Sequence, residues 1–132
     1  MKIVIDTNIV ISGLFFGGYP RKVIESVVNN EFSAYASKPI INEYIEIVDE
    51  MINNKGGGLN KNILTPFINK LNIINPSTAI AVCRDKDDDK FIECAVDSKS
   101  QYIISGDRDL LDLKTFKHIS IITAHEFYNH FL

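Results

Sequence analysis

Short runs of aliphatic and β-branched residues recur along this chain, and most are followed by a stretch of helical rather than alternating periodicity. The first, Lys2-Ile3-Val4-Ile5, is apolar on successive residues and ends on Asp6. A strand written that way has both faces buried. Further strands are expected at residues 32–36, 72–75, 102–105 and 119–123, with a shorter one at 79–82 inside a linker. Between them lie helical patterns. Gly17, Gly18 and Pro20 mark a loop and a helix start, and Val23, Ile24, Val27 and Val28 continue it. Ser37 and Pro39 open the clearest helix, where Ile40, Ile41, Tyr44, Ile45, Val48, Met51 and Ile52 share one face. Ile63, Leu64, Phe67, Ile68 and Leu71 make another, with Pro66 expected in its first turn. Residues 91–98 and 110–113 add two more, and Thr123 with Glu126 reads as a capping box for a terminal helix. Residues 53–62, including glycines 56–58, are expected to be a plain connector.

Strands alternating with helices predict a parallel sheet covered on both faces. Such sheets carry their sites at the carboxyl ends of strands, where the strand order reverses. At 132 residues the chain fits one domain, residues 1–132, around one core. Its 45% apolar content is ordinary for a globular protein, and no run approaches the ~18 apolar residues of a membrane span. The start of the chain lacks the pattern of a secretion signal. Cys83 and Cys94 form neither a CxxC nor a disulfide framework, which suits reduced thiols and a cytoplasmic location.

The acids stand where that geometry would use them. Asp6 closes the first strand, and Asp107 follows the strand at 102–105 in Ser105-Gly106-Asp107-Arg108-Asp109. Asp89 heads the helix at 91–98. Glu43 falls about 40° outside the apolar stripe of its helix, at a cleft border. Each has a bland alternative: a turn for Asp6 and Asp107, a helix cap for Asp89, a solvated face for Glu43. Asp97, on the outer face of its helix, serves as the inert control.

Other chemistries fail on spacing. A calcium loop starting at Asp85 would need Gly at its sixth position and Glu at its twelfth, where Lys90 and Val96 stand. No glycine-rich phosphate loop occurs. The position two residues after Asp6 is Asn8, not the second aspartate of a haloacid-dehalogenase phosphatase. His118, His125 and His130 lack metalloprotease spacing.

Taken together, Ile5-Asp6-Thr7-Asn8, the Glu43 helix, the run from Asp87 through Ala95, and Ser105 through Leu111 resemble the PIN domain. They resemble most the branch of VapC-like toxins from toxin–antitoxin pairs. The resemblance covers essentially the whole chain. It implies a three-layer α/β fold with a central parallel sheet of four or five strands in the order 3-2-1-4-5. It implies a Mg²⁺- or Mn²⁺-dependent endoribonuclease, with one or two ions, RNA as substrate, a cognate antitoxin as partner, and a homodimer as one assembly. Asp6, Glu43, Asp89 and Asp107 match the family's acidic positions, with Asp88 as register competitor for Asp89. Thr7, Asn8, Ser105 and Asp109 match supporting positions. A PIN-fold RNA- or protein-binding module without turnover, and a metal-dependent DNA nuclease or phosphatase, are the alternatives.

Charge bears on this. The chain has 14 basic and 17 acidic residues and a net charge of −3, an unhelpful balance for binding phosphate. If the four matched acids are gathered at one metal centre, the remainder of the protein is close to neutral.

Overall fold

The computed structural model describes residues 1–55 and 58–132. Glycines 56 and 57 of the expected connector lie outside the described residues. Among the described residues five strands run parallel: β1 (Lys2–Ile5), β2 (Ser33–Ser37), β3 (Asn72–Ile74), β4 (Tyr102–Ile104) and β6 (Ile119–Ile122). A two-residue strand, β5 (Thr115–Phe116), joins the edge antiparallel to β6. The order is β3-β2-β1-β4-β6-β5, which is the expected parallel arrangement with one added hairpin strand.

Strand β1 is central, and Ile3, Val4 and Ile5 are essentially inaccessible to water. Among the described residues seven α-helices flank the sheet: α1 (Thr7–Phe15), α2 (Gly18–Val28), α3 (Lys38–Lys55), α4 (Lys61–Lys70), α5 (Asp89–Ser98), α6 (Arg108–Leu111) and α7 (Ala124–Phe131). Helix α5 packs on β1, β2 and β4, while α2 gathers α1, α4 and α7 into a second layer. Phe32 meets Phe127 and Phe131 edge-on, Tyr102 meets Phe131 the same way, and the tilted Phe127–Phe131 pair completes a cluster that holds α7 in place; the capping box at Thr123 and Glu126 is formed. Gly13 is required where α1 meets α2: a methyl group there would lie 2.8 Å from Ile24 and 2.9 Å from the Pro20 carbonyl. Among the described residues no helix is long and apolar enough to cross a membrane.

Four local features differ from expectation, the first a helix that was not expected at all. Helix α1 carries no apolar stripe because Ile9, Val10, Ile11, Leu14 and Phe15 are buried on all sides, so it gave no amphipathic signal. Ser37 ends β2 rather than opening α3. Pro66 sits in the body of α4, not its first turn. That helix starts at Lys61, where the Asn60 side chain accepts from the N–H of Asn62 at 3.0 Å.

The fourth is the strand at 79–82, which does not form. The extended segment 77–83 gives several backbone N–H groups to acids spaced four residues apart on α5. Asp97 takes those of Ser77 (2.6 Å) and Thr78 (3.1 Å), and Glu93 takes that of Ile80 (2.9 Å). Asp89 takes those of Val82 (3.1 Å) and Cys83 (2.9 Å). Residues four apart share one helix face, so α5 holds this segment as a strand neighbour would.

Candidate metal centre

The chain leaves β1 for β2 and β3 on one side, then returns to β4 on the other, which makes the gap between β1 and β4 the point where strand order reverses. Ile5 pairs with Ile104, so the next residues, Asp6 and Ser105, emerge side by side. The Asp6 N–H donates to the Ile104 carbonyl at 2.9 Å. From α3, the fully buried Tyr44 donates its hydroxyl to the Ile5 carbonyl and fixes the end of β1.

Asp6 stands at the N-cap of α1, yet its carboxylate makes no capping bond. It accepts instead from the Ser105 hydroxyl at 2.6 Å, and the same hydroxyl accepts from the Asp107 N–H at 2.9 Å. Asp107 in turn caps α6, accepting from the Asp109 N–H at 2.9 Å. Burial pushes the Asp6 carboxyl up to about 6 against the pull of Ser105, and the negative charges of Asp107 and Glu43 add to the rise.

Asp88 reaches this cluster from the turn preceding α5. It is 9% exposed, and its Oδ2 is buried with no hydrogen-bond partner among the described residues. Burial first, then the charges of Asp107, Asp6 and Asp85, push its carboxyl up to about 7. A carboxylate oxygen sealed from water without a donor is costly unless a proton or cation meets it. Asp88, Asp107 and Asp109 can each present one oxygen within 4.8 Å of the others. Three carboxylates that each offer a hard oxygen, one of them also holding an oxygen with no donor, fit a divalent cation such as Mg²⁺.

Asp89 lies elsewhere. Its Oδ1 is committed to the backbone of Val82 and Cys83. Burial would raise its carboxyl, but hydrogen bonds from Cys83 and Val82 outweigh that and hold it below the ordinary range. The residue expected at the centre and its register competitor have therefore exchanged positions: Asp88 faces the cluster and Asp89 faces the loop. Asp97, taken as an inert surface acid, also has an attachment, to Ser77 and Thr78.

Glu43 flanks the cluster. Its Oε1 accepts from the Lys90 ammonium at 2.7 Å, and its Oε2 accepts from the Thr7 hydroxyl. Thr7 is buried, whereas Asn8 is exposed. Arg84, absent from the expected site, bridges Asp109 (2.9 Å) and Asp112 (2.7 Å); a lone arginine in a charged loop gives no sequence signal for that role. The Cys83 thiol is pushed up to about 12 by burial and by Asp89, so near neutrality it is neither thiolate nucleophile nor thiolate ligand.

Comparison with known proteins identifies the family. The family model described as PIN domain matches residues 2–109. The chain is also 36% identical to the uncharacterized protein MJ1680 of Methanocaldococcus jannaschii, over 99% of this chain and 92% of that protein.

Proposed function

Because the chain belongs to the PIN-domain family, a nuclease fold, we propose that it is a metal-dependent endoribonuclease of 132 residues in a single domain. Asp88, Asp107 and Asp109 hold a Mg²⁺ or Mn²⁺ ion, and Asp6, oriented by Ser105, completes the negative pocket. The observation that carries this reading is Asp88, which holds a buried, donorless oxygen and converges with two further carboxylates.

The bound ion supplies an acidified water and neutralises charge at the phosphate. The protein's part is positional. Ser105 links Asp6 to the Asp107 backbone, Tyr44 fixes the strand that bears Asp6, and the 77–83 segment fixes the head of α5. In-line attack by water leaves 5′-phosphate and 3′-hydroxyl ends. The motif resemblance further supports a VapC-like toxin acting in the cytoplasm and restrained by a cognate antitoxin.

Incubating Mn²⁺-loaded protein with single-stranded RNA, duplex RNA, single-stranded DNA and a phosphomonoester tests the assignment. Cleavage is expected for RNA. Turnover only of DNA or the monoester supports the other metal-dependent activities, and no turnover of any substrate supports a binding module. Expression without the antitoxin should arrest growth; normal growth with active enzyme in extracts removes the toxin assignment.

A further inference from the structure

The ion pair between Glu43 and Lys90 differs from the other ion pairs among the described residues. Its side chains are 31% and 19% exposed, whereas Arg84 is 67% exposed in its two pairs and Lys22 is 58% exposed in its pair with Glu25. Both oxygens of Glu43 are used within the protein, one by Lys90 and the other by Thr7. Glu43 is absent from the group of carboxylates whose oxygens converge. The pair nevertheless reaches the end of β1, because Thr7, which donates to Glu43, directly follows Asp6.

We propose that Lys90 contacts a non-bridging oxygen of the RNA phosphate beside the metal centre, and that Glu43 holds Lys90 in place instead of ligating metal. This inference rests on the ribonuclease reading. An ammonium has three donors, and the Glu43 Oε1 occupies one. Lys90 also lines an open groove at the head of α5 with Lys86 and the acids Asp87, Asp89 and Glu93, so RNA is expected at the crevice side of the ammonium rather than in this groove. Acids crowded as these are repel a phosphodiester until positive charge is placed next to them. Arg84 is divided between Asp109 and Asp112, whereas Lys90 meets a single carboxylate oxygen. Lysine is a compact point charge suited to a phosphate oxygen. The shielding of the pair keeps that charge effective, because buried pairs are screened less by salt.

The experiment measures binding of a labelled single-stranded RNA by fluorescence anisotropy in Ca²⁺ over a salt series, with RNA integrity checked by gel. Thermal melts with and without Mn²⁺ are recorded in parallel. Lys90→Gln is expected to weaken RNA binding roughly 10-fold or more, the loss of one hydrogen bond to a charged group. It should also lower the slope of log K against log salt by about 0.7, one phosphate contact on a single strand. Lys90→Arg keeps the slope and guards against a merely unfolded variant. Both variants, and Glu43→Gln, should retain most of the wild-type rise in Tm with Mn²⁺, while Asp107→Asn loses it. An unchanged salt slope in Lys90→Gln overturns the phosphate contact. Loss of the Mn²⁺ response in Glu43→Gln makes Glu43 a ligand and overturns its role as holder. If wild type responds to Mn²⁺ but binds no RNA, the ribonuclease reading fails and the Lys90 contact with it. If wild type binds RNA and Lys90→Gln binds it equally, the Lys90 contact alone fails.

Discussion

The two flanks of α5 treat carboxylates in opposite ways. Toward the 77–83 segment, Asp89, Glu93 and Asp97 each accept backbone N–H groups, and Asp89 and Asp97 are held below the ordinary carboxylate range. Toward the crevice, Asp88 has an oxygen with no donor, and burial raises it and Asp6 well above that range. Residues of one chemical type, adjacent in sequence at Asp88 and Asp89, therefore do different work. A carboxylate given donors is a fastener; one denied them is complete only with a proton or a cation.

Activity should separate the flanks most widely. Asp6→Asn and Asp107→Asn are expected to reduce Mn²⁺-dependent RNA cleavage by more than the ~10–100-fold typical of outer-shell partners. Asp97→Asn should leave cleavage within about 2-fold of wild type, far below the effect of a lost transition-state contact. Initial rates on one RNA, with folding verified by cooperative melting, make the comparison. Equal losses on both flanks would break it.

Stability against pH should show opposite signs. Asp6 and Asp88 have raised folded-state values, about 6 and about 7. Their folded forms bind protons more tightly than the unfolded chain, so their contribution is full below pH ~4 and is lost as pH rises through about 7. Asp89 and Asp97 are lowered, so theirs is present above pH ~4 and fades as pH falls below it. In EDTA, going from pH 5 to pH 8 should therefore lower Tm, and Asp6→Asn should reduce that fall. Saturating Mn²⁺ at pH 8 should raise Tm by about 5–15 °C, the effect of a ligand at ~100 times its Kd on a domain of this size. A wild-type Tm in EDTA that climbs from pH 5 to pH 8 would contradict the crowding of these acids.

The smallest effects belong to the fastening flank. Asp89→Ala leaves two backbone N–H groups without their acceptor and should cost about 1–3 kcal/mol. Glu93→Ala removes the acceptor of one, and Asp97 is exposed, so chemical denaturation should rank the losses Asp89, then Glu93, then Asp97. A reversed ranking would mean that the segment is held by something other than these acids.

Much of this was legible in the sequence because parallel sheets leave few choices. Asp6 and Asp107 follow central strands, and once β1 and β4 are neighbours their placement follows. The choice between Asp88 and Asp89 was not legible. At the head of a helix a one-residue shift turns a side chain by about 100°, and here the turn at Lys86–Asp88 sets the phase. The 79–82 segment was misassigned because an apolar extended run looks alike whether its donors meet a strand or a row of side chains. Helix α1 was missed because burial on every side erases the periodicity that identifies a helix.

Mn²⁺ titration of Asp88→Asn beside Asp89→Asn, followed as the rise in Tm over each variant's own value in EDTA, tests the assignment of the metal centre most directly. Asp89→Asn is expected to melt lower than wild type in EDTA yet keep its Mn²⁺ response, while Asp88→Asn melts at or above wild type in EDTA and loses most of that response. A full Mn²⁺ response in Asp88→Asn, with its loss in Asp89→Asn, would contradict it.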